Sequence, residues 1–146
     1  MKRIALIAAS AALCAVAPTA ALAQSSSISG TVTVQKGNGP QLTCTATATL
    51  NGSSPSTSTQ VTGFTLTGGF LGLCATVQFP NTPHSITHGP GSAFTVNNVY
   101  ADTTFTPGDC EGNLTGTLSG GVVSVNAVLD EVDPGTGDCT VVGTLS

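Results

Sequence analysis

The stretch Leu42-Thr43-Cys44-Thr45-Ala46-Thr47-Ala48-Thr49-Leu50 puts Leu42, Cys44, Ala46, Ala48 and Leu50 on one parity and four threonines on the other. A period of two belongs to a β-strand with one buried face. The stretch therefore predicts a strand whose outer surface is a row of hydroxyls and whose inner face carries a cysteine.

Working outward, Ile28 to Val34 alternates in the same way. It is joined to Leu42 by Lys36-Gly37-Asn38-Gly39-Pro40, which is turn chemistry, so the two strands are expected to form a hairpin. Asn51-Gly52 ends the second strand, and Ser53 to Gln60 reads as an exposed Ser/Thr loop. Val61 to Thr67 is a weaker strand with Thr62, Phe64 and Leu66 on one face, stopped by Gly68-Gly69. Phe70 to Phe79 reads as a further strand with Leu71, Leu73, Ala75, Val77 and Phe79 on one parity, which leaves Cys74 on the other. A twist, a bulge or an inter-sheet position has to reconcile that with a buried disulfide.

Pro80 to Gly91 carries Pro80, Pro83 and Pro90 and no alternation, and is expected to be a long surface loop. Strand character resumes from Ala93 to Tyr100 through Phe94, Val96 and Val99, with Thr103 to Thr106 as an extension before the turn Pro107-Gly108-Asp109. Leu114 to Leu118, Val122 to Leu129 and Cys139 to Leu145 complete the set, separated by Gly120-Gly121 and Asp133-Pro134-Gly135. Roughly nine short strands, and no helix in this region, predict an all-β fold: a disulfide-stapled antiparallel β-sandwich or small barrel.

The N-terminus differs in kind. Lys2 and Arg3 precede an apolar run from Ile4 to Val16, and Ala21-Leu22-Ala23 supplies small residues at the positions a signal peptidase reads. Residues 1–23 are expected to be a cleavable secretory signal and residues 24–146 a single β-rich extracellular domain. The run is too short for a membrane anchor, so an integral membrane protein is not expected. Leu13 ahead of Cys14 is too bulky for lipidation at that cysteine. Once the signal is removed, Lys36 is the one remaining basic residue against seven carboxylates. Such a balance excludes nucleic acid as a partner and gives little attraction to anionic lipid. The destination is outside the cytoplasm: secreted, at the cell surface or periplasmic.

Cys44, Cys74, Cys110 and Cys139 are an even set in an exported chain, which reads as two disulfides with three connectivities open. Pairing neighbours, Cys44 with Cys74 and Cys110 with Cys139, gives two similar loops. Each would constrain the unfolded chain by about 3 to 4 kcal/mol through loop-closure entropy.

No residues assemble into a recognisable catalytic or cofactor site. His84 and His88 lie four apart, but Pro83 and Pro90 preclude the helix that would place both on a metal, and solvated loop histidines are the default. Asp130, Glu131, Asp133 and Asp138 crowd one turn that could offer oxygen ligands to calcium, although the spacing is not that of a helix-loop-helix calcium loop; an acidic hairpin end is the simpler account. Asp109 and Glu111 flank Cys110, yet no Trp is present to form a sugar platform beside a carboxylate pair. No G-x-S-x-G stands in the chain. Asn51-Gly52-Ser53 and Asn113-Leu114-Thr115 match the N-glycosylation pattern, which matters only in a host with that machinery.

The segments Leu42-Thr43-Cys44-Thr45-Ala46-Thr47, Gly72-Leu73-Cys74, Asp109-Cys110 and Asp138-Cys139-Thr140-Val141-Val142-Gly143-Thr144-Leu145 resemble the PraB family, whose members are called protein activators of alkane oxidation. The resemblance implies a secreted or surface-associated bacterial protein connected with growth on alkanes and with surface attachment. It implies no catalytic mechanism. Two expectations follow. The first is a non-enzymatic surface or matrix protein, an adhesin subunit that associates with itself through Thr-rich, lysine-poor strands pairing edge to edge. The alternative is a barrel or sandwich that binds an apolar small molecule such as a hydrocarbon, motivated by Leu71, Leu73, Val77 and Phe79 on one face. An exported hydrolase is a third and weaker one.

Overall fold

A computed structural model of the chain describes residues 24–146. The expected signal, residues 1–23, and Cys14 lie outside the described residues. Nine strands follow one another: β1 (Ser26–Lys36), β2 (Leu42–Leu50), β3 (Gln60–Thr67), β4 (Val77–Gln78), β5 (His84–His88), β6 (Ala93–Thr103), β7 (Cys110–Ser119), β8 (Val122–Glu131) and β9 (Cys139–Leu145). All pairings are antiparallel. Around the sheet the order is β6-β5-β3-β2-β1-β9-β8-β7, and β7 pairs back onto β6, so eight strands close a barrel. β4 adds two residues to the far edge of β6. Of the two architectures expected, the barrel is the one formed.

The alternation in β2 is preserved residue by residue: Leu42, Cys44, Ala46, Ala48 and Leu50 are buried, while Thr43, Thr45 and Thr49 are exposed. Its partner β1 sets Val32 opposite Cys44 and Ile28 opposite Ala48, which confirms the hairpin. On the outside, Ser29 and Thr47 share a hydroxyl–hydroxyl hydrogen bond of 2.9 Å across the pair. Inward apolar and outward hydroxyl is the reverse of a barrel that faces lipid. Among the described residues no helix is long and apolar enough to cross a membrane.

Small inward residues let the strands coil tightly. A Cβ on Gly30 would lie 1.9 Å from the Thr144 carbonyl oxygen, and one on Gly143 would lie 2.3 Å from that of Thr31. The β1–β9 seam therefore brings backbone to backbone where a side chain would otherwise stand. The β7–β8 hairpin closes through Gly120 and Gly121, both at positive φ, as a two-residue turn of that hand requires. Val32 and Leu129, each 1% exposed, are among the largest fully buried side chains of the core. Burying a side chain of this size is worth about 1.5 to 3 kcal/mol.

Four expectations are corrected. Phe70 to Phe79 is not a strand: Phe70–Thr76 winds into a 3-10 segment, with Leu71 and Gly72 at positive φ, and only Val77–Gln78 pairs in the sheet. The parity conflict over Cys74 thus disappears, because Cys74 is not on a strand; it turns inward, fully buried, to bond Cys44. Pro80 to Gly91 is not one long loop, since His84–His88 forms β5 and bridges β3 to β6. In β3, Thr62 does not share the inner face with Phe64 and Leu66. Thr49 pairs with Gly63 and Leu50 with Val61, so Thr62 is an extra residue in a bulge; Val61 is buried and the Thr62 hydroxyl donates outward to the Thr49 carbonyl. The extension of β6 stops at Thr103, and residues 104–109 bend back toward β7.

Two disulfides staple the structure: Cys44–Cys74 ties the 3-10 segment to β2, with Cα atoms 5.7 Å apart, and Cys110–Cys139 joins the starts of β7 and β9, 6.0 Å apart. Disulfides of this kind form and persist in oxidising environments.

Candidate functional site

Because the strands close, their inward residues face one another across the barrel axis. An eight-stranded barrel is just wide enough for side chains to fill it or for one small ligand to lie inside. Here the filling is incomplete. Two apolar chambers of ≈ 70 Å³ and ≈ 60 Å³ lie within the barrel. Phe64, Phe79, Leu114 and Val141 wall both, and the two rings, packed edge to face with centroids 4.6 Å apart, make the aromatic part of the partition between them. The first chamber is lined by Val32, Leu50, Val61, Phe94, Val96 and other aliphatic groups, with His84 and His88. The second runs to the opposite end, past Leu42, Leu66, Leu129 and Phe105 to Lys36.

Pro55, His88 and Leu118 also wall a larger surface hollow of ≈ 540 Å³, where the loops 51–59, 89–92 and 120–121 converge at one mouth of the barrel. This end is built by local hydrogen bonds. The Asn51 side-chain oxygen accepts from the amides of Thr59 and Gln60, each at 2.9 Å, which folds the Ser53 to Thr59 loop back on itself. Ser58 Oγ donates to the Ser54 carbonyl at 2.6 Å and Ser58 is wholly buried, so this loop is not simply exposed. His88 Nε2 donates to the Ser58 carbonyl at 2.8 Å and fastens the loop to β5.

His84 departs furthest from the expectation of a solvated loop histidine. It lies on β5, 4% exposed, against the first chamber, and its Nε2 has no hydrogen-bond partner. Burial pushes the imidazole below its ordinary pKa, and a backbone hydrogen bond with Asn98 opposes this in part. A neutral ring with an unpaired buried nitrogen costs about 1 to 3 kcal/mol. No cue in the sequence marks this residue, because the five-residue strand that carries it is enclosed by Pro83 and Pro90.

Lys36, Asp109, Glu131 and Asp138 are engaged in holding turns. Lys36, 7% exposed, directs Nζ to the carbonyl oxygens of Gly137 at 3.0 Å and Asp109 at 3.4 Å and to Cys110 Sγ at 3.3 Å. Asp109 precedes β7 and does not form a pair with Glu111. It accepts from the Tyr100 hydroxyl at 2.5 Å and the Thr103 amide at 3.1 Å, and these bonds, the Tyr100 one foremost, hold its carboxyl below the usual range. The same contact pushes Tyr100 up to about 12. In the acidic turn, Glu131 accepts from the amides of Gly135 and Gly137, which lowers its pKa, and Asp138 accepts from the Glu131 amide at 3.1 Å. These carboxylates bind backbone amides of the turn. Among the described residues no three His, Cys, Asp or Glu side chains converge to hold a metal.

Searches of curated proteins and of solved structures returned no match. A family of known description does match over residues 1–146, the whole chain, and by that match this protein belongs to the alkane oxidation protein activator PraA/PraB-like family.

Proposed function

We propose that this family member supports alkane oxidation without catalysing it, as an exported barrel that holds an apolar aliphatic guest along its axis. The observation that carries this reading is the row of hollows: an open mouth, a first apolar chamber, the Phe64–Phe79 partition and a second apolar chamber. Swinging one ring of the partition aside would join the two chambers. Their combined space then approaches the roughly 150 Å³ in which an engineered apolar cavity holds benzene, so short chains fit first and longer ones need the mouth. Transfer of alkyl surface out of water supplies the drive, at about 0.8 kcal/mol per buried methylene. The direct test is to equilibrate purified protein with n-hexane, remove the free hydrocarbon and measure retained ligand by mass spectrometry, beside the shift in melting temperature. Retention near one equivalent with a raised melting temperature supports binding; no retention and no shift defeats it.

Self-association has one observation of its own. Val128 and Val142, 55% and 49% exposed, stand on the outer face of β8 and β9 among threonines. Association through that face would be lateral, because closure pairs most of the strand edges and leaves the ladder thin only between β3 and β5, where two residue pairs join them. Sedimentation across a wide concentration range checks it, and a monomer throughout rejects it.

A further inference from the structure

A purely hydrocarbon guest would leave the most unusual atom of the first chamber unused. His84 lines that chamber with apolar ring atoms and its buried Nε2 lacks any partner, whereas no other buried side-chain nitrogen or oxygen among the described residues is left unpaired. Lys36, at the far chamber, is the rival anchor, but its ammonium already points to Gly137, Asp109 and Cys110. His88, at the mouth, has spent Nε2 on Ser58. The 3-10 tip at Phe70 and Leu71 is exposed and apolar, yet nothing in the structure shows what would cover it.

We propose that His84 is a polar anchor and that the guest this barrel selects is an aliphatic alcohol, its hydroxyl hydrogen-bonded to His84 Nε2 and its alkyl chain laid along the apolar walls. The inference rests on the reading that the barrel takes an apolar guest, and it narrows the chemical class. A hydroxyl both donates and accepts, so it satisfies Nε2 in either neutral tautomer. A carbonyl serves one tautomer alone, and an ionised carboxylate would have to be stripped of water in a chamber that offers no cation. A monohydroxylated alkane is also the class of product that a first oxidation of an alkane yields. The barrel would then take up a product of that chemistry as well as, or in place of, its substrate.

The test compares affinities of n-hexane and 1-hexanol for the wild-type protein and for His84→Phe, which keeps an aromatic ring of similar size and removes the nitrogen. The ratio of alcohol to alkane affinity is the readout, because any change in chamber volume acts on both ligands. It should fall about tenfold in His84→Phe, the worth of one buried hydrogen bond. An unchanged ratio overturns the anchor while leaving the apolar-guest reading in place. Absence of binding by both ligands to the wild type overturns both. Should His84→Phe fail to fold, the ¹⁵N resonance of Nε2 in the wild type decides the question: it moves on addition of 1-hexanol and not of n-hexane, and equal responses to the two reject the anchor.

Discussion

At the scale of single residues, four titrating groups shape the dependence of stability on pH. His84 has a lowered pKa in the fold, so the unfolded chain binds the extra proton first. Its contribution is complete above about pH 6.5 and is lost as pH falls through the folded value. The melting temperature should therefore climb as pH rises toward about 6.5, and His84→Phe should flatten that rise while leaving stability at pH 7 equal or higher, since an orphaned nitrogen has been removed. Asp109 and Glu131 are held low by hydrogen bonds, so their contribution is present above about pH 4 and is lost on further acidification. Tyr100 behaves oppositely. Its neutral form is favoured up to about 12, so its contribution is intact below about pH 10 and disappears as pH rises through 12. Tyr100→Phe should abolish the alkaline decline and move the acid limb upward, both visible by thermal denaturation across pH.

At the scale of elements, β1, β2, β7, β8 and β9 were legible because long alternation and glycine turns act together, and the register of β1 against β2 follows from which face is apolar. Phe70 to Phe79 has the pattern of a strand without being one, because its alternation of Leu, Ala, Val and Phe is real but local. Gly69 and Gly72 at positive φ, with Leu71 between them, bend the chain before any ladder can form. β5 is the converse case. Five residues between prolines show too few periods to be recognised, and it is their pairing to β3 and β6 that makes them a strand. Half of the candidate site went with that element, since the apolar lining could be anticipated from the strand pattern and His84 could not. Two element-level outcomes are expected. Gly143→Val should destabilise the β1–β9 seam by about 2 to 3 kcal/mol in denaturant melts, because its Cβ has no room beside Thr31. Replacing Cys44 and Cys74 together by Ala should cost roughly 3 kcal/mol and raise hydrogen exchange first in residues 70–76, with the β7–β8 amides still protected.

At the scale of the whole molecule, closure is the property from which the rest follows. It pairs most of the strand edges, turns hydroxyls outward and leaves a lumen that small inward residues do not fill. Closure also shields Lys36, which is the one trypsin site within residues 24–146 and lies buried with its ammonium bound. The oxidised native protein should resist trypsin within this region, whereas reduction and unfolding should yield a single cut after Lys36, read by mass spectrometry. The most direct measurement of the central claim is a methyl-resolved NMR titration with n-hexane and 1-hexanol. A guest on the axis should shift the inward methyls of Val32, Val96 and Leu114 and spare the outward methyls of Val128 and Val142; shifts confined to the outward pair, or none at all, would contradict it.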